Sequence, residues 1–258
     1  MNPSKHKLVI VGAGNVGFHL GQRLHQAGYD IKQVFSLTPH HGKSLGEKVN
    51  STFTNDVAQI TPDADVYIVC VKDDAMKNVY NVLPVKNRIV LHTAGSVVKN
   101  VSSRTDLHQG VLYPLQSFNR SAEVSWENVP VFVDGDNDSV ISIASELGYA
   151  LTQNVKRAND EQRLKVHIAA VFANNFSNHC LAIGQKLLEQ NGYDFDVLKP
   201  LVETTFKRLQ HSNPSDVQTG PAKRGDDNTV DKHLNALVEH RNWKELYRYL
   251  SDDIRKLQ

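Results

Sequence analysis

One stretch constrains this chain more than any other: Lys7 to Gly17, which reads KLVIVGAGNVG. Leu8, Val9, Ile10 and Val11 make a short apolar run, three of the four β-branched, that suits a strand buried on both faces. Gly12, Gly14 and Gly17 follow at once in G-x-G-x-x-G spacing, and the residues after them read as a helix. Gly12 allows the tight turn. Gly14 lets the backbone approach a pyrophosphate with no Cβ in the way, and Gly17 lets the helix pack close to the strand. The unpaired N–H groups of Asn15 and Val16, at the positive end of the helix dipole, favour a phosphate anion. The glycine spacing alone is common. The strand before it and the helix after it make it a dinucleotide-binding fingerprint.

The chain has 258 residues, enough for two domains and a large core. Its formal charge is +1, and neither half is basic: up to Lys156 there are 14 basic and 14 acidic residues, beyond it 15 and 14. That removes the electrostatic case for nucleic acid or an anionic membrane as partner. Cys70 and Cys180 are the only cysteines. Isolated in a strand and a helix, they are expected to be reduced core residues, not a disulfide frame, and no metal site is expected. No run approaches the ~20 apolar residues that span a bilayer, and none near the start resembles a signal peptide. A cytoplasmic protein is expected.

A dinucleotide-binding domain is expected over 1–156. Phe18, Leu20, Leu24 and Ala27 recur at helical spacing, with Gly28 just past the helix end. Ile31 to Leu37 reads as the second strand. NAD-selective sites place an Asp or Glu at its end to hold the ribose hydroxyls. Here no carboxylate lies between Asp30 and Glu47, and the segment offers Ser36, Thr38, His40, His41 and Lys43. These groups can donate to or neutralise a 2′-phosphate, so NADP is expected, with Ser36 and Thr38 facing it. Val66 to Val71 and Arg88 to His92 read as further buried strands. Ligands bind beyond the carboxyl ends of such strands, so Val71, Lys72, Asp73, His92 and Thr93 are expected to border the cofactor, with Gly95 near the nicotinamide ribose. Asp73 or Asp74 also suits the N-cap of the next helix. Gly110 to Phe118 and Val129 to Val133 read as extended, Asp138 to Leu147 as helix, and a last strand is expected near Tyr149 to Gln153. Strands alternating with helices call for a doubly wound α/β domain with a parallel sheet.

From 157 to 258 the period is helical, and an all-helical C-terminal domain is expected. Asp160 to Gln190 contains one glycine and no proline, and reads as a single long core helix. On it His167, Asn174 and Asn178, at i, i+7 and i+11, share one face, with Asn175 one step around. A histidine and an amide together supply proton transfer and orientation. Phe195 to Leu209 reads as a second helix. Asn213 to Asp226 reads as an irregular loop, and Thr229 to His240 and Trp243 to Leu257 as closing helices.

Laid out this way, the chain resembles a family of Rossmann-type proteins, labelled NADP oxidoreductases, that end in a helical domain of unknown function. The resemblance spans nearly the whole length. It rests on VGAGNVG (Val11 to Gly17), VYIVCVKDDA (Val66 to Ala75), HTAGS (His92 to Ser96), YPLQSF (Tyr113 to Phe118), HIAAVFANNF (His167 to Phe176) and TGPAKRGD (Thr219 to Asp226). In fold the family is similar to pyrroline-5-carboxylate reductase, prephenate dehydrogenase and the β-hydroxyacid dehydrogenases. That similarity implies a helical domain that builds the substrate site and a homodimer. One departure stands out: the β-hydroxyacid dehydrogenases use a lysine followed four residues later by an asparagine, and here Lys165 is followed by Ala169. The expected reaction is hydride transfer between NADP(H) and a small carbonyl or imine substrate. His167 and Asn174 are the catalytic pair in this reading, and Tyr113, Gln116, Asn175 and Arg224 bind the substrate. A non-catalytic NADP(H) sensor is the alternative.

Overall fold

The computed structural model describes residues 5–257. By its internal contacts the chain divides into two compact units, one up to Asn174 and one from Asn175 onward. The first helix of the expected helical half, Asp160–Ala170, falls in the first unit.

The first unit runs β1 (Lys7–Val11), α1 (Asn15–Gln26), β2 (Asp30–Phe35), α2 (Pro39–Lys48), β3 (Thr52–Thr54), β4 (Val66–Val69), α3 (Asp73–Val82), β5 (Arg88–His92), β6 (Leu107–Pro114), β7 (Val131–Gly135), α4 (Asp138–Leu151), β8 (Val155–Arg157) and α5 (Asp160–Ala170). The strands form one eight-stranded sheet in the order β3-β2-β1-β4-β5-β6-β7-β8. Chain order runs outward from β1 to β3, then returns to β4 and runs the other way. The switch point therefore lies between the carboxyl ends of β1 and β4, where open α/β sheets bind their ligands.

Strand residues alternate between two cores. Leu8, Ile10, Ile68, Leu91 and Leu112 pack with Leu20 and Leu24 of α1, Leu45 of α2, and Val140, Ala144 and Leu147 of α4. Val9, Val11, Tyr67, Val69 and Val90 pack on the other face with Met76 and Tyr80 of α3. Helices on both faces make the domain doubly wound, as expected, which is why its inner strands read as unbroken apolar runs.

Several details differ from the sequence expectation. The sheet is not wholly parallel: β7 runs antiparallel to β6. β3 pairs with β2 at the edge although three residues carry too little pattern to betray it. The last strand is Val155–Arg157, because α4 continues through Tyr149 to Leu151. Asn137 caps α4, its side chain accepting from the Val140 N–H.

α5 opens on a capping box in which Asn159 accepts from Gln162 N–H and the Gln162 side chain accepts from Asn159 N–H. The expected long helix is interrupted: a π-helical segment, Val171–Phe176, separates α5 from α6 (Ser177–Glu189). Nor is it a core helix in this chain, since Leu164 and Ile168 are exposed. Cys70 is buried as expected, but Cys180 is exposed and not a core residue.

The second unit adds α7 (Lys199–Arg208), α8 (Pro221–Arg224), α9 (Asp227–Ala236) and α10 (Arg241–Lys256). The expected irregular loop thus holds a one-turn helix, with Pro221 at its start and left-handed Gly225 (φ +68°) closing it. α9 and α10 are joined by the His233 ring and Tyr247 hydroxyl at 2.7 Å and by Arg255 with Asp227. No described helix is long and apolar enough to cross a membrane.

Candidate functional site

The glycine turn sits at the switch point. Gly12 has φ +109°, and a Cβ there would lie 2.8 Å from the Cys70 carbonyl oxygen beyond β4. Its N–H donates to Phe35 O at 2.8 Å, tying the turn to the end of β2. A Cβ on Gly17 would stand 1.9 Å from the Gly12 carbonyl, so α1 reaches this close to the turn only with glycine there. Gly14 is different. A Cβ on it would meet nothing of the chain within 4 Å, so internal packing does not demand glycine. What the bare Gly14 permits is the approach of another molecule.

Gly14 is also the N-cap of α1, with no side-chain cap and no acidic residue in the first turn. The Phe18 N–H is bonded to Gly14 O at 2.9 Å, and the first-turn amides of Asn15, Val16 and Gly17 lie ahead of that bond. An uncapped amide cluster behind an open glycine fits the pyrophosphate of a dinucleotide.

At the end of β2, Ser36 is buried and occupied. Its hydroxyl donates to Thr38 O at 3.2 Å and accepts from Thr38 N–H at 3.3 Å, shaping the turn into α2. Thr38 itself is exposed and caps α2 without using its side chain. The sequence reading missed Arg120, which reaches back from the loop after β6. Its Nη1 donates to Ala13 O, inside the glycine turn, at 2.5 Å, and its guanidinium lies 4.0 Å from the Phe18 ring centroid. It stands two residues beyond the YPLQSF stretch, and nothing in a lone arginine on a loop marks it.

Beyond β4, Val71 packs against Gly12 and Lys72 is the N-cap of α3. Asp73 and Asp74 are therefore first-turn residues, not caps, and the Asp73 carboxylate accepts from the Ser96 hydroxyl. Thr93 ties β5 to β4 by donating its N–H to Val69 O at 3.2 Å. The side chain of His92 is turned into the protein. It is fully buried, its Nε2 bonded to Val98 O at 3.2 Å and its Nδ1 accepting from Ala94 N–H at 3.2 Å. Burial, reinforced by the Arg163 cation, pushes its pKa down to about 3. A neutral ring with both nitrogens engaged folds the loop over 93–98 and is no proton donor.

That loop brings Gly95 under two expected site residues. The Tyr113 hydroxyl lies 3.0 Å from His167 Nδ1, and a Cβ on Gly95 would stand 2.7 Å from both His167 Nδ1 and Tyr113 Cζ. Tyr113, on β6, stacks on Phe132 and is nearly buried. Its pKa is pushed up to about 12, chiefly by burial and further by the Asp73 carboxylate, against the Arg163 cation. The phenol is thus a neutral donor or acceptor at pH 7. Arg163, one turn before His167, is 1% exposed and bonded to Asp160 and Val97 O, with Nε and Nη1 buried and unpartnered. The sequence reading missed it, although its i, i+4 spacing from His167 was visible.

The other expected substrate residues are divided between the two units. Gln116 is exposed and accepts from Ser117 N–H at 2.8 Å. Asn174 lies in the π-helical segment and ends the first unit; Asn175 and Arg224 belong to the second. The π-helical turn also undoes the expected face: each turn takes in more residues than an α-helix, so i, i+7 and i+11 no longer align His167, Asn174 and Asn178. Lys165 points away to Glu161 at 2.6 Å.

Comparison with known proteins fits this architecture. Residues 7–95 match a family model described as NADP oxidoreductase, coenzyme F420-dependent, and residues 129–254 match a domain of unknown function, DUF2520. A "putative NADP oxidoreductase" from Bacteroides fragilis is 34% identical with a TM-score of 0.91, over 98% of this chain and 99% of its own. This chain belongs to the same family. It is a family of Rossmann-fold NADP(H)-dependent oxidoreductases that end in a helical domain. More distant structures share the fold alone. A pyrroline-5-carboxylate reductase from Streptococcus pyogenes is 13% identical (TM-score 0.63, 97% of this chain and 98% of that one). An imine reductase from Myxococcus stipitatus in complex with NADP+ is 16% identical (TM-score 0.62, 97% and 93%). No curated protein matches the chain.

Proposed function

We propose that this family member transfers a hydride between NADP(H) and a small carbonyl or imine substrate, with His167 as the proton-transferring group. The observation that carries the reading is the pairing of His167 with Tyr113 at Gly95, with Tyr113 near the carboxyl end of β6 and Gly95 just past that of β5. Gly12, Gly14, Asn15, Val16 and Gly17 hold the pyrophosphate in this reading, Thr38 faces the 2′-phosphate from the turn that Ser36 shapes, and Val71, Lys72, Asp73 and Thr93 border the nicotinamide end. When bound, the cofactor supplies or accepts the hydride. Tyr113 holds Nδ1 and so orients the ring, leaving Nε2 to give or take the proton at the substrate oxygen or nitrogen. Asn174, on the π-helical segment of the same unit, orients that atom, and Gln116 holds its polar substituents. That a structure sharing this fold is an imine reductase supports the reading, though a fold does not fix a function. The homodimer and the cytoplasm belong to the same reading.

The test is turnover. General acid–base groups contribute ~10²–10⁴-fold, so His167→Ala should lose that much kcat on keto or imino acids while still binding NADPH. Unchanged turnover rejects the role. The second reading, a non-catalytic sensor, is favoured by one observation: Ala169 stands where the related dehydrogenases have asparagine, and Lys165 is paired with Glu161 at the surface. Tight NADPH binding with no hydride transfer to any of these substrates would establish it.

A further inference from the structure

We infer that Arg120 is the cation that recognises the 2′-phosphate of the cofactor, closing over the turn between β2 and α2. The inference rests on NADP(H) being the cofactor, and four observations carry it. First, the arginine is anchored to the dinucleotide fingerprint itself: Nη1 donates to Ala13 O, and the guanidinium lies over the Phe18 ring of α1. Second, it spans to α2, its Nη2 standing 3.5 Å from Ser44 Oγ, the outer limit of a hydrogen bond. One N–H is firmly held, and most of a five-donor fork remains to be satisfied. Third, no carboxylate is paired with it among the described ion pairs, a condition it shares with several other arginines but combines with its place at the glycine turn. Fourth, the β2–α2 turn that it approaches contains no acidic residue and carries the uncapped start of α2.

A carboxylate here would hold ribose hydroxyls and repel a phosphate. The groups present do the opposite. A guanidinium matches a phosphate with two parallel N–H···O bonds, and its tether to Ala13 holds one nitrogen in place while the other is only loosely engaged by Ser44. The charge already reaches this turn: the His41 pKa is lowered by burial first and by Arg120 next. Ser36 takes no part directly, since its hydroxyl is spent on Thr38.

The experiment is a pair of dissociation constants, for NADPH and NADH, in the wild type, Arg120→Ala and Arg120→Met. The methionine keeps an apolar stem on Phe18 while removing the charge and its N–H donors, so it reports even if the alanine variant folds poorly. Hydrogen bonds to charged groups are worth about 10- to 100-fold in affinity. NADPH binding should weaken by that factor in both variants, and NADH binding should change by less than about threefold. Competition by 2′,5′-ADP should weaken in parallel, and competition by 5′-ADP should not. Equal weakening of NADPH and NADH would mean that Arg120 only supports the glycine turn, and unchanged NADPH binding would mean it does nothing; either overturns the inference. A wild type that binds neither dinucleotide would overturn the proposed function along with it.

Discussion

Single residues in this chain do their work through what they leave unpaired or pair completely. His92 illustrates the second case. Its ring donates from Nε2 and accepts at Nδ1, so a second proton would face an N–H donor in a buried site beside Arg163. An unfolded histidine takes up that proton below about pH 6.5, whereas the folded His92 resists until about pH 3. Its contribution to stability is therefore complete above pH 6.5 and is lost as the pH falls toward 3, by at most ~1.4 kcal/mol per unit. The stability advantage of the wild type over His92→Asn, measured by urea unfolding, should shrink by about 2 kcal/mol between pH 7 and pH 5. A constant difference would show that His92 is not a buried neutral ring. Legibility at this scale followed backbone against side chain. Gly12 and Gly17 were readable because their spacing encodes a backbone requirement. Arg120 and the Gly95–Tyr113–His167 contact were not, because they join positions far apart in the chain through tertiary folding. The burial of His92 was not legible either: a polar residue at a strand end looks the same in sequence whether its side chain faces solvent or core.

The elements were legible wherever one period ran long enough. β1, β4 and β5 are short apolar runs bounded by polar residues, and all were placed correctly apart from trimmed ends. β3 and β8 have three residues each and were missed or misplaced, since their pairing partners and not their own pattern hold them. The helix from Asp160 onward was legible as helical but not as interrupted, because a π-helical turn uses ordinary residues. Its exposed apolar side chains also bear on assembly. Leu164 and Ile168 of α5 and Leu201 and Phe206 of α7 are each more than 40% exposed. Buried apolar area contributes roughly 25 cal/mol per Å², so such side chains left in water are a cost that the proposed homodimer would remove. Light scattering should give twice the 28.9 kDa chain mass. A mass of one chain would contradict the homodimer.

For the molecule as a whole, the residues singled out in sequence are divided between the two units. The sheet unit carries the glycine turn, the β2–α2 turn, Arg120 and the Tyr113–His167 pair. The helical unit carries Asn175 and Arg224. The order of strands, glycine turn and helices announced the first in sequence, and the family confirms it. The substrate has no comparable signature, since the polar groups assigned to it are ordinary residues spread over both units. The central claim is that the bare amides at the start of α1 and the carboxylate-free turn after β2 bind a dinucleotide with a 2′-phosphate. The most direct test is the thermal midpoint of the wild-type protein with NADPH, NADP+, NADH and NAD+ in turn. A ligand at 100 times its dissociation constant stabilises the native state by about 2.7 kcal/mol, which is a shift of several degrees. NADPH and NADP+ should raise the midpoint by that order at concentrations where NADH and NAD+ do little; no shift with any of the four, or equal shifts with all, would contradict the account.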